Sequence, residues 1–563
     1  MTEQVSGHGG HHVLAAAQAY GADALFTLSG AHVFPLYDAA IGGTEGYEEA
    51  GRDNSTALAG GPMRMVDVRH EATAVFAAEG VAKLTRRPGF AAITAGPGVT
   101  NGISGITSAY FNGIPMVVVG GRAPEFRWGT GALQEIDHIP LVAPVTKHAA
   151  TLKDPSTIAL DAGAAFAAAT HAHRGPAFID IPMDRFYAPA DAAVPHPIPP
   201  DPRVPDPDSL TAVADLLAAA ERPVLVLGSD VWMDGAADTA RAVVESIGLP
   251  VVANGMGRGI LPRGHELLVS RARGPAFSQA DLVIVAGTTL DFRLGYGTFG
   301  DPAVPVVHLA DSAEQLSLHA NPAATAYGDL SKVLEGIAEA WSVRASVGRY
   351  LTWAQKLAEH AAAAIAKDQH LLTSEAESIH PARIYGELLP RLTDDTVVIG
   401  DGGDFVSFAG RFVEPSKPGR WMDPGPYGCL GTGLGYALAS GVAMPNSPSV
   451  LLLGDGAAGF SLMDVDTLVR HGIPTVMVMG NNSAWGLEKF PMRMLHTYDV
   501  AADLQPGTRY DEVVRALGGD GELVTRPDEI GPAIDRAFAS GVPYLVNVLT
   551  DPEAAYPRST TGI

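Results

Sequence analysis

Short, largely apolar runs alternate along the chain with longer stretches in which apolar residues return every three or four positions. The runs at 24–28, 64–68, 90–94 and 116–119 read as buried parallel strands, and 71–84 reads as a helix between two of them. The alternation recurs at 223–227, 250–252, 282–286 and 304–309. It recurs again at 396–399, 450–453, 475–479 and 544–549, with helical patterns at 381–392 and 463–471. Repeated strand–helix alternation predicts an α/β fold of three doubly wound parallel-sheet domains.

Two breaks divide the series. Pro189, Pro195, Pro197, Pro199, Pro200, Pro202, Pro205 and Pro207 crowd into a stretch that reads as a linker, because proline neither donates to a sheet nor continues a helix. A helical connector is expected at 350–370. The expected division is a first domain at 1–187, the proline-rich linker at 188–208, a central domain at 209–342, the connector region at 343–378 and a third domain at 379–563.

Composition narrows the function classes. The 563 residues are 47% hydrophobic and 18% charged, a globular balance. With 62 acidic against 38 basic residues the net charge is −24, which argues against nucleic acid and anionic membranes as partners. Cys429 is the only cysteine, so neither an intrachain disulfide nor a cysteine-rich metal site can form. The first residues show no signal pattern and no apolar run is long enough to span a bilayer, so the cytoplasm is the expected location. His8, His11 and His12 could take up a metal, but a flexible polar terminus is the simpler expectation.

The candidate chemistry lies at 451–488, a strand–loop–helix–strand unit. The first strand ends in Gly454-Asp455-Gly456, read as a tight turn, and the second in Asn481-Asn482. In such a unit the strand ends share one edge, so Asp455 and Asn482 can approach each other. A carboxylate, an amide oxygen and a backbone carbonyl suit a hard cation such as Mg²⁺ that also holds a diphosphate, and the glycines let backbone N–H groups approach phosphates.

This Gly-Asp-Gly and Asn-Asn pair resembles the signature of thiamine diphosphate (ThDP) enzymes. The likeness extends to the order of a pyrimidine-binding, a central and a diphosphate-binding domain. It implies Asp455, Asn482 and the carbonyl of Ala484 as metal ligands, and Gly30, Gly454, Gly456, Ala457, Asp404, Phe405, Gly486 and Leu487 around the cofactor. Glu71, in Arg69-His70-Glu71, is similar to the glutamate that drives the cofactor's aminopyrimidine to its imino form; the plain alternative is an acid favouring a helix N-terminus. In Gly431-Thr432-Gly433-Leu434-Gly435, the likeness implies Leu434 as the apolar wedge that bends the cofactor and the Thr432 carbonyl as an acceptor beside it. A homodimer or homotetramer with active sites at the interface is implied as well.

The family contains 2-oxoacid decarboxylases, acetolactate synthases, oxalyl-CoA decarboxylases and 2-hydroxyacyl-CoA lyases. The loop Ser483-Ala484-Trp485-Gly486-Leu487-Glu488 is similar to that of bacterial small-acyl 2-hydroxyacyl-CoA lyases and also to acetolactate-synthase-like proteins. The likeness implies that Glu488 takes the proton of a substrate hydroxyl, that Gln134 touches the reacting centre and that His32, Phe126 and Leu487 bound a small acyl pocket; the plain alternatives are a solvated helix acid at Glu488 and a core or capping histidine at His32. The expected activity is therefore a reversible lyase splitting a short 2-hydroxyacyl-CoA into formyl-CoA and an aldehyde or ketone. The alternatives are an acetolactate-synthase-type carboligase and, from another class, an inactive ThDP-binding partner subunit. Such lyases can carry a C-terminal lid over CoA, whereas this chain ends soon after Tyr556-Pro557-Arg558, which weakens the CoA expectation unless the ending folds as a short cover. Asp311, following the run at 304–309, is a candidate ribose acceptor for an adenine nucleotide, the ADP part of CoA or, less strongly, FAD.

Overall fold

The computed structural model describes residues 4–300 and 303–557. Its strands are β1 Gln4–His8, β2 Ala24–Thr27, β3 Arg64–Asp67, β4 Gly89–Ile93, β5 Met116–Arg122, β6 His148–Thr151, β7 Pro176–Pro182 and β8 Pro189–Ala193. Next come β9 Pro223–Leu227, β10 Val251–Ala253, β11 Leu282–Ala286, β12 Val306–Ala310 and β13 Ala324–Tyr327. The last group is β14 Val397–Asp401, β15 Trp421–Met422, β16 Ser449–Gly454, β17 Val476–Asn481, β18 Asp520–Val524 and β19 Tyr544–Leu549.

Three parallel sheets result, in the orders β3-β2-β4-β5-β7-β6, β10-β9-β11-β12-β13 and β15-β14-β16-β17-β19-β18. The central strands are buried on both faces, which is why they read as unbroken apolar runs. Strands absent from the sequence reading, such as β6, β13, β15 and β18, sit mostly at sheet edges, where one side faces no neighbour and the apolar signal is diluted. Prolines at both ends of β7 hide it in the same way.

Two expectations are corrected. The proline-rich stretch is not wholly a linker: Pro189–Ala193 pairs antiparallel with Gln4–His8. Pro189 is tolerated because it occupies the first position of a strand in a two-stranded ribbon. For the same reason the described N-terminal residues, from Gln4 on, are not a loose tail. His8 accepts the Gly10 N–H as the cap of the helix Gly9–Ala19, and His12 is buried with its Nε2 against the Ala190 carbonyl. His8, His11 and Asp38 do cluster, but His12 is not among them.

The first and third sheets share one core within the chain. The helix Glu71–Thr85 lies directly on the helix Thr432–Ala443, and glycine makes the approach possible. A Cβ at Gly80 would fall 2.6 Å from the Ala439 Cβ, and one at Gly435 would fall 2.7 Å from that of Phe76. No helix among the described residues is long and apolar enough to cross a membrane.

Candidate active site

A cavity of about 390 Å³ opens at the C-terminal edge of the third sheet. Parallel register sets Gly454 of β16 beside Gly480 of β17, so the segments leaving both strands emerge together. Asp455, Asn482, Ala484, Gly454, Gly456, Ala457, Asp404, Phe405, Gly486, Leu487 and Glu488 all line this cavity. The expected tight turn at Gly454-Asp455-Gly456 is instead the start of a helix, Asp455–Ser461, with extended Gly454 as its cap. That places Asp455 at the positive end of the helix.

Asp455 is buried, and burial pushes its carboxyl up to about 6 against the opposing pull of the Gly456, Ser483 and Ala484 N–H groups. Its Oδ1 accepts the Gly456 N–H at 3.1 Å, while Oδ2 is buried without a hydrogen-bond partner among the described residues. Asn482 Oδ1 accepts the Ala484 N–H at 3.1 Å, which fixes the amide beside the loop. An orphaned carboxylate oxygen with hard oxygen neighbours is a fit for a divalent cation. The backbone also leaves room for phosphates, since a Cβ on Gly454 would meet no atom within 4 Å.

The surrounding wall is tightly fitted. Trp485 packs on Gly456, Leu487 on Gly403 and the Phe405 ring on Gly480, each closer than any side chain at those glycines would allow. Asp404 accepts the Tyr556 N–H at 3.1 and 3.3 Å, tying the last described segment to the cavity rim. Glu488 is exposed in the wall and its carboxylate has no hydrogen-bond or ion-pair partner among the described residues. The residues from Arg558 on, including any cover they form, lie outside the described residues.

One expectation about the wall fails. Leu434 is wholly buried in the core between the first and third sheets and does not reach the cavity. Thr432 is buried too, on the first turn of that helix, and the cavity is lined instead by Leu430 and Gly428 from the loop before it. The helix starts at Thr432, so residues beyond it turn inward, whereas those before the Gly431 cap remain on the cavity side. Asp401 was also missed as a site residue. It is buried at the end of β14 and holds the Gly431 and Gly433 N–H groups, so it fixes the turn that presents Leu430.

The first-domain candidates form a separate group. Glu71 is buried at the first position of its helix, and its Oε2 accepts from Asn101 Nδ2 at 3.0 Å. A Cβ on Gly98 would lie 3.6 Å from Glu71 Oε1, and Gly30 backs directly onto Thr94. His32 Nδ1 is 3.1 Å from Thr94 Oγ1, which lies 3.5 Å from Gln134 Oε1. Gln134 holds φ +60, a conformation rare outside glycine, and its turn is braced from behind. His138 Nε2 accepts the Gly96 N–H at 3.0 Å, so its Nδ1–H donates to Asp180 at 2.8 Å, and Gly96 in turn packs on Gln134. Neither this group nor Phe126 lines the third-domain cavity of the same chain; Phe126 is 72% exposed.

Asp311 does not face a nucleotide pocket. It is buried and bonded to His173 Nδ1 at 3.1 Å, with Arg174 3.6 Å away. Its carboxylate is 1% exposed and engaged by His173 and Arg174 of the first domain, so it is not presented to a ligand of the central domain.

Three family profiles match the chain. The N-terminal TPP binding domain of thiamine pyrophosphate enzymes matches residues 7–141, their central domain residues 210–337 and their C-terminal TPP binding domain residues 401–548. The chain is 47% identical to a probable acetolactate synthase of Mycobacterium bovis, over 98% of this chain and 97% of that protein. An acetolactate synthase large subunit of Mycobacterium tuberculosis is matched to the same extent, 47% over 98% and 97%. The 2-hydroxyacyl-CoA lyase 2 of Homo sapiens is 31% identical over 96% of this chain and 90% of that protein. With these matches running nearly end to end over a fold of three parallel sheets, the chain belongs to the thiamine pyrophosphate enzyme family and is an enzyme.

Proposed function

We propose that this enzyme is a Mg²⁺- and ThDP-dependent carbon–carbon lyase that splits short 2-hydroxyacyl-CoA thioesters into formyl-CoA and an aldehyde or ketone, and joins them in reverse. When bound, ThDP supplies the nucleophilic carbon. Asp455, Asn482 and the Ala484 carbonyl hold the cation, and the glycine-lined floor takes the diphosphate. Glu71 keeps Oε1 for a ring nitrogen of the cofactor, because Asn101 occupies Oε2. Leu430 takes the place under the cofactor that the sequence had suggested for Leu434.

The observation that carries the lyase reading is the unpaired carboxylate of Glu488 in the cavity wall. It can take the proton from the substrate hydroxyl as the bond between the hydroxyl-bearing carbon and the thioester carbonyl breaks, and return it afterwards. A CoA thioester is further supported by a recess of about 320 Å³ lined by Arg258, Arg271, Arg273 and Arg411. Among the described residues Arg273 is paired with no carboxylate, bonds the Arg293 carbonyl and lies over the Phe277 ring, whereas Arg258 is paired with Glu414 of the same recess, and Arg271 and Arg411 with Asp368. Arg293 and Asp404 belong to the main cavity, while Arg273 and Tyr556 belong to the recess, so the two adjoin. Clustered guanidinium groups suit phosphates.

The Glu71 group and the third-domain cavity do not meet within one chain, which supports a paired assembly in which each chain completes the other's site. Sedimentation should give a dimer or a tetramer.

The second reading is an acetolactate-synthase-type carboligase, favoured by the 47% identity to both mycobacterial proteins. Incubation with Mg²⁺, ThDP and either formyl-CoA plus acetone or pyruvate, followed by mass spectrometry, separates the two. The lyase reading expects 2-hydroxyisobutyryl-CoA; acetolactate with no hydroxyacyl-CoA reverses the order.

A further inference from the structure

Lys83 and Glu79 lie one turn apart on the helix Glu71–Thr85, with side chains 2% and 0% exposed and 3.0 Å between Nζ and Oε1. An ammonium has three donors, and here each has an acceptor. Besides Glu79, Lys83 Nζ donates to Tyr436 Oη at 2.7 Å and to the backbone carbonyl of Asp423 at 3.1 Å. Replacing a buried ion pair by well-packed apolar residues is often neutral or stabilising, so burial of the pair is weak evidence that it is there for stability. Its direction indicates a different role. One arm crosses from the first domain to the loop 423–430, which supplies Asp423, Pro424, Gly425, Gly428 and Leu430 to the cavity wall.

Neighbouring contacts reach the same loop. Asn112 Nδ2 donates to Glu79 Oε1 at 2.9 Å and lies 3.4 Å from the Pro424 carbonyl. Gly425, at φ +68, backs onto Asn112 so closely that a Cβ would fall 1.8 Å from its Oδ1. The Phe111 ring stacks on Tyr427 at 5.2 Å and 3°. Without these contacts the loop is a glycine-punctuated turn with few bonds of its own, free to sample many conformations.

We infer that Lys83, paired with Glu79, is a positioning residue for the cofactor cavity: through the Asp423 carbonyl it fixes the loop that sets Gly428 and Leu430 in the wall. The inference rests on the proposed ThDP reading of that cavity. Glu71 is the first residue of the same helix, so one rigid element carries both the candidate acid of the first domain and the brace of the third.

The test uses the full-length protein with Mg²⁺ and ThDP, comparing wild type, Lys83→Met and the charge-neutral double variant Glu79→Gln/Lys83→Met. The double variant guards against misfolding from a lone buried carboxylate. Amide exchange over residues 425–431 should accelerate at least about tenfold in both variants while strand β16 stays unchanged. The ThDP concentration for half-maximal turnover should rise about tenfold, with kcat at saturating ThDP within about twofold. Unchanged exchange at 425–431, or an equal rise in β16, overturns the inference, as does a fall in kcat with no change in ThDP dependence. If the wild type binds no ThDP while the local exchange change persists, the cofactor reading fails and the brace on the loop stands.

Discussion

Asp401, wholly buried at the end of β14, accepts the Gly433 N–H at 2.8 Å and the Gly431 N–H at 3.0 Å. Burial pushes its carboxyl up to about 6, against the pull of those N–H groups. A carboxyl raised in the folded state contributes stability that is present below its unfolded value of 3.8 and is lost as pH rises through about 6. Wild type should therefore lose roughly 1 to 1.5 kcal/mol from this group between pH 5 and pH 7. In urea unfolding of the apo protein, Asp401→Asn should flatten that slope by this amount. Asp455 shifts in the same direction, so part of the slope should remain in the variant.

Glu71 is buried with Asn101 as its only side-chain partner among the described residues, an arrangement suited to one further bond to a cofactor ring. Glu71→Gln should lower turnover by about 10² to 10⁴, with ThDP still bound, as read by steady-state rates and cofactor titration. Unchanged turnover would remove the acid from the mechanism.

Glu488 tests the choice of reaction. Glu488→Gln should depress formation and cleavage of 2-hydroxyisobutyryl-CoA by at least about a hundredfold. The same variant should retain its affinity for ThDP, because the Glu488 carboxylate takes no part in holding Asp455 or Asn482.

Leu430 and Leu434 separate the two placements of the wedge. Leu434→Ala empties a core position and should cost about 2 to 5 kcal/mol of stability. Leu430→Ala, in the cavity wall, should leave the unfolding midpoint nearly unchanged and lower turnover instead. Thermal melts and rates on the same two variants check both statements.

The chain's patterning exposed the central strands because burial on both faces leaves only apolar residues there, as in Val450 to Leu453 of β16. Edge strands and the pairing of Pro189–Ala193 with Gln4–His8 escaped, since both depend on partners distant in sequence. Asp455 and Asn482 were legible because each follows the end of a strand, and strand ends converge by topology alone. Leu434 was misplaced because the glycine-rich segment does not show where its helix begins: Leu430, before the Gly431 cap, stays at the cavity, while Leu434, inside the helix, turns into the core. Asp311 showed the same limit: nothing local in the sequence foretold His173 and Arg174 beside it. Asp401 and His138 act on backbone N–H groups of other segments, which no local pattern reveals.

The central claim is that Asp455 and Asn482 hold a divalent cation carrying the diphosphate of ThDP. Titrating ThDP into the apo protein with Mg²⁺ or with EDTA, for wild type and Asp455→Asn, tests it most directly. Saturable binding in Mg²⁺, weakened at least about a hundredfold by EDTA or by the substitution, is the expected result. Equal affinity in EDTA, or no affinity for ThDP in wild type, would contradict it.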